Sequence, residues 1–110
     1  MEKWVDPCNN YLFVDIHGDI EYLNRGQVPV RSTENAWLPV PGWTGDHEWE
    51  GIIPFEDMPR STNPEVGFIV TAYNKIIGDQ FPYYMALDYA PEFRAKGIVE
   101  RIHSLDKASV

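Results

Sequence analysis

Apolar and polar positions alternate with period two along residues 11–24, "YLFVDIHGDIEYLN". Leu12, Val14 and Ile16 alternate with Tyr11, Phe13 and Asp15, and Ile20 and Tyr22 with Glu21 and Leu23. That period predicts a β-hairpin. The break falls at His17-Gly18-Asp19, where glycine supplies the positive φ of a tight turn. Residues 67–73 read as a further apolar strand, with Thr71, Tyr73 and Asn74 at its polar end. Residues 91–105, "PEFRAKGIVERIHSL", predict a helix. Pro91 suits its first position and Glu92 its first turn, and Phe93, Ile98, Ile102 and Leu105 keep a helical stripe. Residues 78–90 mix aromatics with turn formers and favour neither period. The expected fold class is α+β: a β-hairpin plus a further strand, a long Pro/aromatic-rich loop and a C-terminal helix.

The long loop is residues 25–66. It holds six of the chain's nine prolines, and glycines at 26, 42, 45 and 51. Proline removes a donor and fixes φ, so regular structure fits here only in short pieces. Trp37, Leu38, Val40, Trp43, Trp49, Ile52, Ile53 and Phe55 are too many apolar residues for a solvated linker. A loop of this length inside a domain is functional or packed against something else. Three strands and one helix leave sheet edges unpaired. The element list therefore suits a piece of something larger, or a chain that self-associates through those edges.

The length of 110 residues suits one segment or domain, with 1–9 and 106–110 expected as loose ends. Hydrophobic residues at 44% and charged residues at 24% place the chain among globular sequences. The net charge of −8 argues against nucleic acid and against an anionic membrane surface. No apolar run is long enough to span a membrane, and the start, "MEKWVDPCNN", is not expected to be a signal peptide. The single cysteine, Cys8, makes no internal disulfide.

The residues alone assemble no complete active site. "GDHEWE" groups Asp46, His47, Glu48 and Glu50, but without metal-ligand spacing, and reads as a solvated acidic loop. His17, Asp19 and Glu21 read as an ordinary polar turn. Cys8 has no evident base, and a self-contained hydrolase built on it is the weakest reading. There is no G-x-S-x-G, P-loop or dinucleotide-binding turn.

Three stretches point elsewhere: "YLFVDIHGDIEY", "WLPVPGWTGDHEWEGIIPFEDMPRSTNPEVGFIVTAYN" and "FPYYMALDYAPEFRAKGIVERI". In their order and content the chain resembles, from about Asn10 to about Ile102, the penicillin acylase family of N-terminal nucleophile hydrolases. The resemblance implies a fragment of that family's αββα architecture, from inside the catalytic β chain. It implies amide hydrolysis of N-acylated small molecules, such as β-lactam antibiotics or acyl-homoserine lactones. The family's nucleophile is an N-terminal Ser whose own α-amino group is the base, with a reference pKa near working pH. No residue here matches that Ser, so the nucleophile is expected outside this chain and the isolated chain is expected to be inactive. The implied partners are the remaining α and β chain segments and, in the parent, a small-molecule acyl amide. Many members are exported, but no export signal is expected in this segment.

The resemblance also assigns candidate residues. The family's oxyanion-hole Asn lies six residues beyond the Gly of the G-F-I block, which is Tyr73 here, with Asn74 next. Removing one oxyanion donor typically costs about 2.7–4 kcal/mol of transition-state stabilisation. Either the Tyr73 phenol donates, or a bulge turns Asn74 inward, or the parent is a weak or altered acylase; packing of Tyr73 and turn-capping by Asn74 is the structural alternative. Arg94 matches the Arg of a charged network near the cleft. Some members bind calcium, and the matching positions are Ala36 and either Asp79 or Asp88. The spacing departs from theirs, so no metal or other cofactor is expected in this piece, with calcium reserved for the complete parent. The rival reading is a stand-alone binding or assembly module derived from the acylase segment.

Overall fold

Asp15 closes the hairpin. In the computed structural model, which describes residues 2–106, its Oδ1 accepts the backbone N–H groups of His17 at 2.8 Å and Asp19 at 3.0 Å. Gly18 takes φ +92°, as the turn demands. The strands that meet here are β1 (Asn9–Val14) and β2 (Ile20–Arg25), antiparallel, with Asn10 opposite Asn24 and Leu12 opposite Tyr22.

The loop expected to hold only short pieces holds β3 (Pro29–Val30), α1 (Glu34–Trp37), β4 (Gly51–Ile52), a 3₁₀ turn at Phe55–Asp57 and β5 (Arg60–Thr62). Strand β5 pairs with β2, giving a sheet of order β1-β2-β5, while β3 and β4 form a separate ribbon. Asn63 locks that edge. Its Oδ1 accepts from the Ile20 N–H at 2.9 Å and its Nδ2 donates to Asp19 Oδ1 at 2.8 Å. The core sits where the ribbon meets the sheet: Val28, Ile53 and Met58 are buried, with Leu23, Val30, Tyr83 and Met85 packed on them.

Two expectations are corrected. Residues 67–73 form no strand. A strand needs a partner for its backbone groups, and this stretch joins neither outer edge of the β1-β2-β5 sheet. Gly67 at φ +75° and Tyr73 at φ +63° also break extended geometry. The helix α2 spans Phe93–His103, so Pro91 precedes it rather than occupying its first position. Its apolar stripe meets no core: Phe93 and Ile98 are exposed, as is Leu105 just beyond its end, and its ring contacts are His103 edge-on to Phe68 at 5.4 Å and Arg94 over Tyr73 at 5.7 Å. Residues 78–90 are irregular. Of the ends expected to be loose, 107–110 lie outside the described residues. Near the other end, the Gln27 N–H donates to the Val5 carbonyl at 2.9 Å and Arg25 stacks on Trp4 at 4.0 Å.

The shape is open. The radius of gyration is 17.0 Å, against about 13 Å for a compact domain of this length. Accessible surface is 8633 Å², against roughly 6,200 Å² for a folded monomer of this mass. Trp43 is 88% exposed and Ile16 96%. The hairpin's apolar alternation was readable, but half of it faces no neighbour.

Gly26 marks the tightest approach. At φ +124°, a Cβ there would lie 2.7 Å from the Cys8 Cα, a backbone atom that a rotamer change cannot move. Gly26→Ala should therefore destabilise the chain by at least about 1–3 kcal/mol, read as a lower urea midpoint. Gly42→Ala, with open space around it and no left-handed φ, should leave the midpoint nearly unchanged.

Candidate functional site

The polar end of "VGFIVTAYNK" does not pair as a strand; it is held by side chains. The Thr71 hydroxyl accepts from Asn10 Nδ2 at 2.5 Å. Ala72 is buried, and its N–H donates to Asn74 Oδ1 at 2.9 Å. Asn74 Nδ2 donates to the Lys75 carbonyl at 3.2 Å, so the Asn74 amide is turned onto its own loop. The Tyr73 carbonyl accepts from the Ala90 N–H at 2.9 Å. These contacts set a one-residue left-handed step at Tyr73, whose ring is left 75% exposed.

The three candidate residues come together. Tyr73 and Asn74 line the same cavity, of about 630 Å³, and the Arg94 guanidinium lies 5.7 Å from the Tyr73 ring centroid. Asn10, Asn24, Asp88 and Tyr89 share the cavity wall. Asn10 and Asn24 were not singled out from the sequence. A signal existed: both are equidistant from His17 at the hairpin tip, so the predicted hairpin places them opposite each other on one face.

Asn10 is the junction of a small network. Its Oδ1 accepts the Tyr22 hydroxyl at 2.7 Å and Asn24 Nδ2 at 2.9 Å. Burial pushes the Tyr22 phenol up to about 12, with Asn24 opposing and Tyr89 adding to the rise. Tyr22 thus stays a donor across the ordinary pH range. Other polar atoms are less satisfied: Arg31 and Tyr89 line the cavity, and Tyr84 lies with its ring 5.7 Å from the Arg31 guanidinium. Arg31 Nε, Tyr84 Oη and Tyr89 Oη are buried without a hydrogen-bond partner among the described residues. Burial also raises the Tyr89 phenol, which Lys75 opposes and Tyr84 reinforces.

The other candidates do not converge. Cys8 lines the cavity, but burial raises its thiol, and the Asp6 charge raises it further, the wrong direction for a nucleophile. Its thiol donates to the Gln27 carbonyl at 3.6 Å. Asp79 is held by Lys75 Nζ, whose hydrogen bond and charge lower its carboxyl. Among the described residues no three His, Cys, Asp or Glu side chains converge on one point. No described helix is long and apolar enough to cross a membrane.

This arrangement of hairpin, ribbon, pinned loop and helix is that of a known enzyme class. The penicillin amidase family model matches residues 1–110. The penicillin acylase 2 proenzyme of Pseudomonas sp. (strain SE83) is 49% identical over 94 residues, which is 86% of this chain and 12% of that protein. Penicillin G acylase of Escherichia coli is 41% identical over 66 residues, 59% of this chain and 8% of that protein. Among solved structures, the thermostable penicillin G acylase from Alcaligenes faecalis superposes with a TM-score of 0.69 at 30% identity, over 92% of this chain and 18% of that one. The chain belongs to the penicillin amidase family. It spans about a tenth of the length of these curated relatives.

The backbone at position 73 generates a stability prediction. Left-handed φ costs a residue with a Cβ about 1–2 kcal/mol, least for Asn and Gly. Tyr73→Ala and Tyr73→Asn both delete the contact with Arg94. Tyr73→Asn should nonetheless be more stable than Tyr73→Ala by about 1 kcal/mol, measured by urea unfolding. Equal midpoints would show that the left-handed step carries no strain.

Proposed function

We propose that this chain is a segment of a penicillin-acylase-type amidohydrolase, one that cleaves the amide bond of N-acylated small molecules with an N-terminal Ser contributed from outside residues 1–110. The observation that carries this reading is the pinned loop 71–74. It lies on a cavity wall beside Arg94, in a chain whose whole length matches the penicillin amidase family. Family resemblance makes position 73 the oxyanion side of the cleft.

The chemistry asked of this segment is electrostatic. As the acyl carbon becomes tetrahedral, its oxygen gains negative charge, and a fixed donor nearby stabilises it. Asn74 directs one of its two amide N–H groups to the Lys75 carbonyl and its oxygen to the Ala72 N–H, which turns the amide onto its own loop. The Tyr73 hydroxyl is the donor of the pair on the more exposed side chain, on the cavity wall. Arg94, at cation–π distance from its ring, orients that ring and adds positive potential. The uncovered apolar surface and the unpartnered Arg31, Tyr84 and Tyr89 atoms fit packing against the remaining acylase segments.

The second reading, a stand-alone assembly module, is favoured by one observation. Trp37, Leu38, Trp43 and Trp49 are all more than half exposed along one loop. Two measurements separate the readings. The complete acylase carrying this segment should hydrolyse aryl-acyl or long-chain acyl amides, and Tyr73→Phe should lower its kcat by about 10²–10³, the effect of losing one oxyanion donor. An unchanged kcat would remove Tyr73 from the oxyanion site. By contrast, a specific, tight oligomer of the 110-residue chain in light scattering would favour the assembly module.

A further inference from the structure

The loop 71–74 has no strand partner, yet its conformation is well defined. What fixes it reaches across 61 residues of sequence. Asn10 stands in β1 with its side chain on the face shared by Tyr22 and Asn24. Its amide is used in full view of both: the oxygen takes two donors, Tyr22 Oη and Asn24 Nδ2, and the nitrogen gives its proton to Thr71 Oγ1. A primary amide has an acceptor and two donor hydrogens arranged in one plane. Two donors gripping the oxygen from the sheet therefore fix the plane, and the nitrogen is left aimed at the loop. Tyr22 is buried, so this grip is shielded from water.

We propose that Asn10 is a positioning residue: through Thr71 it ties the loop carrying Tyr73 and Asn74 to the rigid hairpin, and so sets where the oxyanion-side donor stands. This rests on the acylase reading given above. Among the described residues, the loop's peptide backbone is tied to a distant element by the Ala90 N–H on the Tyr73 carbonyl, and that donor comes from an irregular stretch with no sheet behind it. The hairpin is the better anchor because its register is fixed by a closed turn and a second strand on the far side of β2. Asn10 does not touch the reacting atoms in this scheme. It acts on them by position, where a displacement of about 1 Å costs on the order of a hundredfold in rate.

The test uses the complete acylase that carries residues 1–110. Asn10→Ala and Thr71→Val should each lower kcat by roughly tenfold and leave KM within about twofold, because substrate binding by the rest of the cleft is untouched. Thr71→Ser, which keeps the hydroxyl, should restore kcat. The double variant should be no worse than the poorer single one, since both break one link. Hydrogen exchange by mass spectrometry, on peptides spanning 70–75 and 87–92, should quicken in Asn10→Ala and Thr71→Val but not in a peptide spanning the 15–19 turn. Unchanged exchange at 70–75 overturns the tie, and so does an equal rise throughout the hairpin. Quickened exchange with unchanged kcat overturns its catalytic relevance. If the unmodified acylase hydrolyses no acyl amide, the amidase reading falls, while exchange still decides whether Asn10 holds the loop.

Discussion

The register of the β1–β2 hairpin is the constraint on which the rest depends. Side chains alternate faces along a strand, so a slip of one residue would send Asn10, Tyr22 and Asn24 to opposite sides. The polar network would then have no common face, and the loop at 71–74 would lose its tie to the sheet. Asp15 prevents the slip. By accepting two turn N–H groups with one carboxylate oxygen it fixes how many residues the turn consumes. Asn63 repeats the device on the other edge of β2, where its amide substitutes for ladder bonds that β5 is too short to make.

Side-chain amides recur wherever the backbone has no regular partner. Asn10, Asn63 and Asn74 each join a loop to itself or to a strand, and each uses both the oxygen and the nitrogen of its amide. A polar group of this kind satisfies a donor and an acceptor at once, which suits a chain with few buried apolar contacts. The core of Val28, Ile53 and Met58 is small, and the ribbon that Val28 and Ile53 flank is only two residues long on each side. Most of the molecule's large apolar side chains lie outside it. Its stability is therefore concentrated at the sheet–ribbon junction, and the helix contributes little to it, since none of its residues is buried.

The hairpin was legible because its alternation is strong and its turn contains glycine at the position that needs it. The prolines of 25–66 likewise announced short, broken elements. The strand expected at 67–73 did not form. Phe68, Ile69 and Val70 have strand character, but left-handed backbone at Gly67 and Tyr73 bounds them, and side-chain hydrogen bonds rather than a ladder hold the polar end. Local backbone conformation overrode propensity. At the candidate site, Tyr73, Asn74 and Arg94 came from family resemblance, and the fold does bring them together. Asn10 and Thr71 were not legible as a pair. A hydrogen bond between residues so far apart leaves no periodic trace, although the pairing of Asn10 with Asn24 could have been read from the hairpin alone.

Attachment by a few discrete points has an evolutionary side. A residue in a paired strand is tied to neighbours on both flanks, so changing it disturbs the sheet. The stretch from Thr71 to Asn74 is hydrogen-bonded to distant elements at a hydroxyl and a carbonyl, and the carbonyl is one that every amino acid possesses. The side chain at 73 carries neither of those two hydrogen bonds, and it meets the helix through the Arg94 guanidinium, 5.7 Å from its ring. A lineage could exchange that residue, from a compact amide to a long phenol, and sample new cleft chemistry without refolding the scaffold. Position 73 is a place where such an enzyme can vary its reaction while the hairpin beneath it stays the same.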